Sequence, residues 1–225
     1  MTPRNLSAMS RPARAWHATS ALVVVVALVI QIPITAANTG GAFDTPAARV
    51  ANLFTFFTIL TNLLVVVTGV ALAVAPQRRS TLLSVIRLDA VLGIAVTGIV
   101  FHTLLADLYD LRGGEAVADV LLHTASPILV VLGWLLFGPR GLIDRRIVVL
   151  SLLYPLLWLG FTLVRGALID WYPYPFVDVS RFGYPTVLLN SLGITALFLV
   201  LAAALLGIDR ALARHGAARG ARIGS

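Results

Sequence analysis

The 225-residue chain contains no cysteine and no lysine. Without cysteine there is no disulfide, no thiolate metal site and no cysteine nucleophile. Charge is scarce too: Asp, Glu, Lys and Arg together make up 12% of the residues, too few to cover a soluble domain of this length. Several catalytic signatures are also missing. There is no Gly-x-Ser-x-Gly elbow, no His-Glu-x-x-His pair, no Walker loop and no dinucleotide fingerprint. What fills the chain instead is apolar, with 59% hydrophobic residues and a mean hydropathy of +0.93.

That apolar content is arranged in runs. A hydrocarbon core of about 30 Å needs roughly 20 apolar residues per helical crossing. Runs of that size lie at about 21–37, 47–75, 82–109, 115–137, 147–169 and 184–206. The expected fold is all-α: one integral membrane domain over 1–225 with six transmembrane helices. A short basic segment, 1–15, precedes it, and a flexible basic tail, 209–225, follows. The first run also has the look of a secretory signal, with Thr35-Ala36-Ala37 as a cleavage site. Its length, and the second span behind it, favour a retained helix.

All 17 basic residues are arginines, and they alternate by side. Thirteen fall at one set of span ends: Arg4, Arg11, Arg14, Arg78, Arg79, Arg87, Arg140, Arg145, Arg146, Arg210, Arg214, Arg219 and Arg222. The other set holds four, Arg49, Arg112, Arg165 and Arg181, together with most of the acidic residues. The positive-inside rule then puts both termini in the cytoplasm and the chain in the cell membrane. Lipid headgroups, rather than nucleic acid, account for the basic charge.

Polar side chains inside apolar spans are costly and therefore informative. Asn52, Thr55, Thr58 and Asn62 recur at helical spacing in the second run, so a continuous helix would align them on one face. His102 lies in the third run and His123 in the fourth, with Asp119 one turn before it. A carboxylate so placed can orient an imidazole and raise its basicity. Helical rise puts Thr58, His102 and His123 at similar depths, in the half of the membrane nearer the arginine-poor side. The plain alternative is that these groups are interhelical glue. His102, His123 and Asp119 match no metal-ligand spacing, so no metal and no cofactor is expected.

Three short blocks carry a resemblance: Phe57-Thr58-x-x-x-Asn62, His123-Thr124-x-x-Pro127, and Tyr154-Pro155-x-x-Trp158 with Tyr172-Pro173-Tyr174-Pro175-Phe176. In order and spacing the chain resembles the androgen-induced and androgen-dependent (FAR-17a-like) membrane protein family, especially its bacterial branch. The resemblance covers spans two to six. It implies a membrane-embedded hydrolase of lipid esters, of the kind formed between fatty acids and hydroxy fatty acids. Thr58 would be the nucleophile and His123 its base. Asn62, His102 and Asp119 are candidate supporting residues, with Asn62 a candidate oxyanion donor. The residues after Thr58 and the loop lengths depart from the animal pattern, which bears on the substrate. Two other readings remain open: a transporter or structural bundle without catalysis, and a redox protein with haem between His102 and His123.

Overall fold

The computed structural model describes residues 9–39, 41–78, 80–108 and 110–223, with side chains described as far as His215. Arg4, Arg79 and Tyr109, which figure in the expectations above, lie outside the described residues. Among the described residues every regular element is helical. Six helical segments are long and apolar enough to cross a membrane: Arg11–Ala37, Phe57–Val74, Thr81–Leu108, Gly114–Phe137, Arg145–Ile169 and Val179–His215. This is the architecture of a multi-pass membrane protein. Its polarity fits, since Leu22, Val29, Leu157 and Leu168 are exposed while Asn62, Thr61 and Ser126 are fully buried.

The chain divides into two compact units, Met1–Gly138 and Pro139–Ser225. In the first, α1 (Arg11–Ala37) starts at Ser10, whose hydroxyl accepts from the Ala13 N–H. It packs along α3 (Phe57–Val74), and α3 packs on α4 (Thr81–Val100). A fourth span, α5 (Gly114–Val120) continued by α6 (Ser126–Phe137), lies against α1 and α4. Between helices in lipid there is little hydrophobic drive, so close packing of small residues must do the holding. A Cβ on Gly69 would sit 2.8 Å from the His17 carbonyl oxygen and 3.1 Å from the Ala21 Cβ. Glycine there lets α1 and α3 touch backbone to side chain. Val24, Ile59, Val65, Ile94 and Leu122 form the apolar core of this unit. Near the arginine-rich end the Trp16 indole donates to the Leu129 carbonyl at 2.8 Å.

The second expected run is interrupted. Its first part is a separate helix, α2 (Pro46–Leu53), and Phe54–Phe56 form a turn before α3 begins. In this turn the Thr55 hydroxyl donates to the Asn52 carbonyl at 2.7 Å, and the Phe56 N–H bonds to the Leu53 carbonyl three residues back instead of continuing the α-helical ladder. Asn52, Thr55, Thr58 and Asn62 therefore do not form one continuous helical stripe. Thr58 instead occupies the first turn of α3.

In the second unit, α7 (Arg145–Ser151) and α8 (Leu153–Ile169) are parted by a turn at Leu152. Pro155 explains it, because proline supplies no N–H to the Ser151 carbonyl and its ring crowds that oxygen. After a 3₁₀ turn at Pro175–Val177 comes α9 (Val179–Ile223), kinked at Gly183 with φ 73°. The tail expected to be flexible from residue 209 continues this helix to Ile223. It is rich in Ala and Arg, both strong helix formers. Asp209, fully buried, accepts from the Gly141 and Ile143 N–H groups at 3.0 and 3.2 Å and so ties α9 to the loop before α7. Arg140 in that loop is pulled below the usual arginine range by burial, and the nearby Asp209 carboxylate opposes the shift. At the arginine-poor end Tyr174 stacks on Phe176 (5.3 Å) and tilts against Trp158 (5.9 Å), while Arg165 lies over Trp171.

Candidate active site

Two of the spans of the first unit are not α-helical throughout. The span after α4 widens into a π-helical turn at Phe101–Leu105, and the span after α5 does the same at Leu121–Ala125. One turn carries His102 and the other His123. Single π-turns inside α-helices are uncommon and concentrate at functional sites.

Local chemistry accounts for both. In an α-helix Pro127 would have to follow the His123 carbonyl, yet it brings no N–H and its ring clashes with that oxygen. Widening the turn relieves the clash. The Ser126 N–H then donates to Leu121 O, five residues back, instead of to Leu122 O. Pro127 cannot supply the i→i+5 bond to Leu122 O either. That carbonyl is met from outside the helix, by the Asn62 carboxamide at a long 3.4 Å. In the other turn, side chains compete for acceptors. The His102 ring takes the Gly98 carbonyl at 2.8 Å and the Thr103 hydroxyl takes Ile99 O at 2.7 Å. The Ala106 N–H bonds to Phe101 O.

The two turns face each other because α4 approaches α6 closely. A Cβ on Gly98 would meet Pro127 Cβ at 3.1 Å, so glycine lets the proline ring approach without displacement. Across this contact the Thr124 hydroxyl lies 3.2 Å from His102 Nε2. The Phe101 ring stacks flat on His123, with centroids 3.9 Å apart and planes 12° apart. Phe101 is itself buried and meets the His102 ring edge-on at 5.2 Å.

Each sequence-derived candidate has a definite place. His123 Nδ1 lies 2.8 Å from Asp119 Oδ1, with the two side chains 16% and 19% exposed. The approach falls outside hydrogen-bond geometry, so the contact is electrostatic steering of the ring rather than a formed hydrogen bond. Thr58 is buried in the first turn of α3, where the positive end of the helix dipole favours negative charge on its oxygen. Asn62, one turn on, donates to Thr58 O at 2.9 Å and to Leu122 O. Its amide hydrogens tie the Thr58 turn to the His123 turn, so in this structure it acts as a strut between them. His102 is exposed, pairs with Thr124 rather than Asp119, and belongs to the same tier.

Sequence reasoning missed Thr124 and Phe101. Thr124 stood inside the quoted His123-Thr124-x-x-Pro127 block, but helical spacing gave it no partner. Its contact depends on the widened turn. Pro127 was the available signal, since a proline four residues after a histidine in mid-span requires a local departure from the α-helix. Among the described residues no three His, Cys, Asp or Glu side chains gather closely enough to hold a metal ion. Both ring nitrogens of His102 are engaged, with Gly98 O and Thr124, so haem iron would have to displace one of them. Compared with family models, with curated proteins and with solved structures, the chain matches none.

Proposed function

We propose that the chain is a membrane-embedded hydrolase of lipid esters in which a threonine hydroxyl is the nucleophile and an imidazole its base. The observation that carries the reading is the pair of facing π-turns with His102 and His123, joined through Asn62 to the turn that holds Thr58. Two histidines brought to one tier, each beside a polar partner, are more than interhelical glue needs. In the proposed cycle His123 removes the Thr58 proton as Thr58 Oγ attacks the ester carbonyl. The protonated imidazole, steadied by Asp119, then gives that proton to the departing alkoxide. Water hydrolyses the acyl-threonine by the same route in reverse. The resemblance to the FAR-17a-like family supports this assignment of roles, and a tier within the membrane suits an ester that enters from the lipid.

The purified protein in detergent should hydrolyse long-chain esters of hydroxy fatty acids, and His123→Ala should lower the rate by about 100-fold or more. Equal rates in the two proteins would remove the reading in favour of a bundle without catalysis.

The same proposal places both termini in the cytoplasm of the cell membrane, on the thirteen-to-four division of arginines. Reporter fusions after Ala75 and after Ser225 should read cytoplasmic, and one after Asp178 external. An external signal from the Ser225 fusion contradicts this orientation.

A further inference from the structure

The Thr124–His102 contact has the internal order of a nucleophile and its base. Gly98 O is a carbonyl oxygen and can only accept, so the His102 Nδ1 at 2.8 Å from it must carry the proton. In the neutral ring Nε2 then bears the lone pair, and the Thr124 hydroxyl at 3.2 Å must donate to it. A backbone carbonyl thus fixes the tautomer, as a carboxylate does in a hydrolytic triad. The pair is also reachable, since His102 is exposed and Thr124 half-buried. Three constraints hold it in place: the Gly98 bond, the Gly98–Pro127 approach and the Phe101 ring edge on His102.

We infer that Thr124, with His102 as its base and Gly98 O as orienter, is a second nucleophilic threonine of the site, beside Thr58 and His123. Its reaction with an ester would run as follows. Thr124 Oγ forms a bond to the carbonyl carbon while His102 Nε2 takes the hydroxyl proton. The tetrahedral species expels the alkoxide, which leaves as an alcohol with the proton from Nε2. Water then attacks the acyl-threonine, passes a proton to Nε2, and the carboxylic acid departs as Thr124 is reprotonated. The inference rests on the hydrolase reading for its substrate class but not for its geometry.

A fluorophosphonate probe separates the two ideas. An activated hydroxyl forms a P–O bond, fluoride leaves, and the proton goes to the base. The full-length protein is labelled as wild type, Thr58→Ala, Thr58→Ala/Thr124→Ala, Thr58→Ala/Thr124→Ser and Thr58→Ala/His102→Gln, and the label is mapped to peptides by mass spectrometry. Ester hydrolysis is measured in parallel. In Thr58→Ala the label is expected on Thr124. It should vanish in Thr58→Ala/Thr124→Ala, return with Thr58→Ala/Thr124→Ser, and fall by at least tenfold with His102→Gln, which keeps a polar side chain but removes the base. A folded Thr58→Ala protein with no label on Thr124 overturns the inference, and so does His102→Gln labelling at the Thr58→Ala rate. Label on Thr124 together with a wild-type protein that hydrolyses no lipid ester supports the pair and overturns the hydrolase reading.

Discussion

Thr58→Ala and His123→Ala are each expected to lower lipid ester hydrolysis by about 100-fold or more, measured as kcat/KM on a long-chain ester. The double variant should be little slower than either single one. Groups that act as one unit lose their effect together, so their free energies do not add. Residual turnover in Thr58→Ala is expected to depend on Thr124. Neither change should unfold the protein, because side-chain hydrogen bonds between membrane helices average about 0.6 kcal/mol. Thr55→Ala is the matched control. That hydroxyl spends itself on the Asn52 carbonyl in the turn before α3, so its loss should leave most of the rate. A well-folded Thr58→Ala protein with full activity would end the assignment of Thr58.

The largest effect on folding is expected at Gly69. A Cβ there would lie 2.8 Å from the His17 carbonyl, and a backbone atom cannot swing aside as a side-chain tip can. Gly69→Leu must push α1 from α3 along the principal interface of the first unit, at a cost of about 1–3 kcal/mol or more by comparison with overpacked cores. Thermal unfolding in detergent, followed by size-exclusion chromatography, should show a clearly lowered Tm or loss of the monodisperse peak. Gly160 supplies the contrast. Nothing lies within 4 Å of its added Cβ, so Gly160→Ala should be neutral or stabilising by up to about 1 kcal/mol. A Gly69→Leu protein as stable as wild type would mean that the α1–α3 contact is not close.

Much of this fold is legible in the chain because membrane spans are written in length and hydropathy. The starts and ends of the third, fourth and fifth spans follow the apolar runs to within a few residues. α1 starts earlier, at Arg11, because Ser10 and Pro12 cap it well before the apolar run begins. The break at Phe54–Phe56 escaped because nothing in hydropathy marks it: the apolar run continues through the turn. At the candidate site, helical spacing correctly paired Asp119 with His123, since those residues span four positions of one helix. It did not pair Thr124 with His102, which belong to different helices and meet only through Gly98 and Pro127. Contacts within a helix are carried by spacing. Contacts between helices depend on which small residue lets two backbones approach.

Each π-turn also has a geometric effect beyond its own five residues. It adds one residue to a helix without adding a turn, which rotates everything downstream by about 100°. Asp119 and Gly133 are thus read in two different phases of what looks like one helix. Gly133 faces the Trp16 ring of α1 only because the phase has been reset between them. Were this turn drawn in to a uniform α-helix with every residue kept, the Gly133 face would swing away from α1, whereas removing one residue together with the widening would leave that face in place. The polar tier and the tryptophan contact at the other end of the span are therefore set by a single inserted position. Indels here are far less interchangeable with substitutions than they are in the connecting loops.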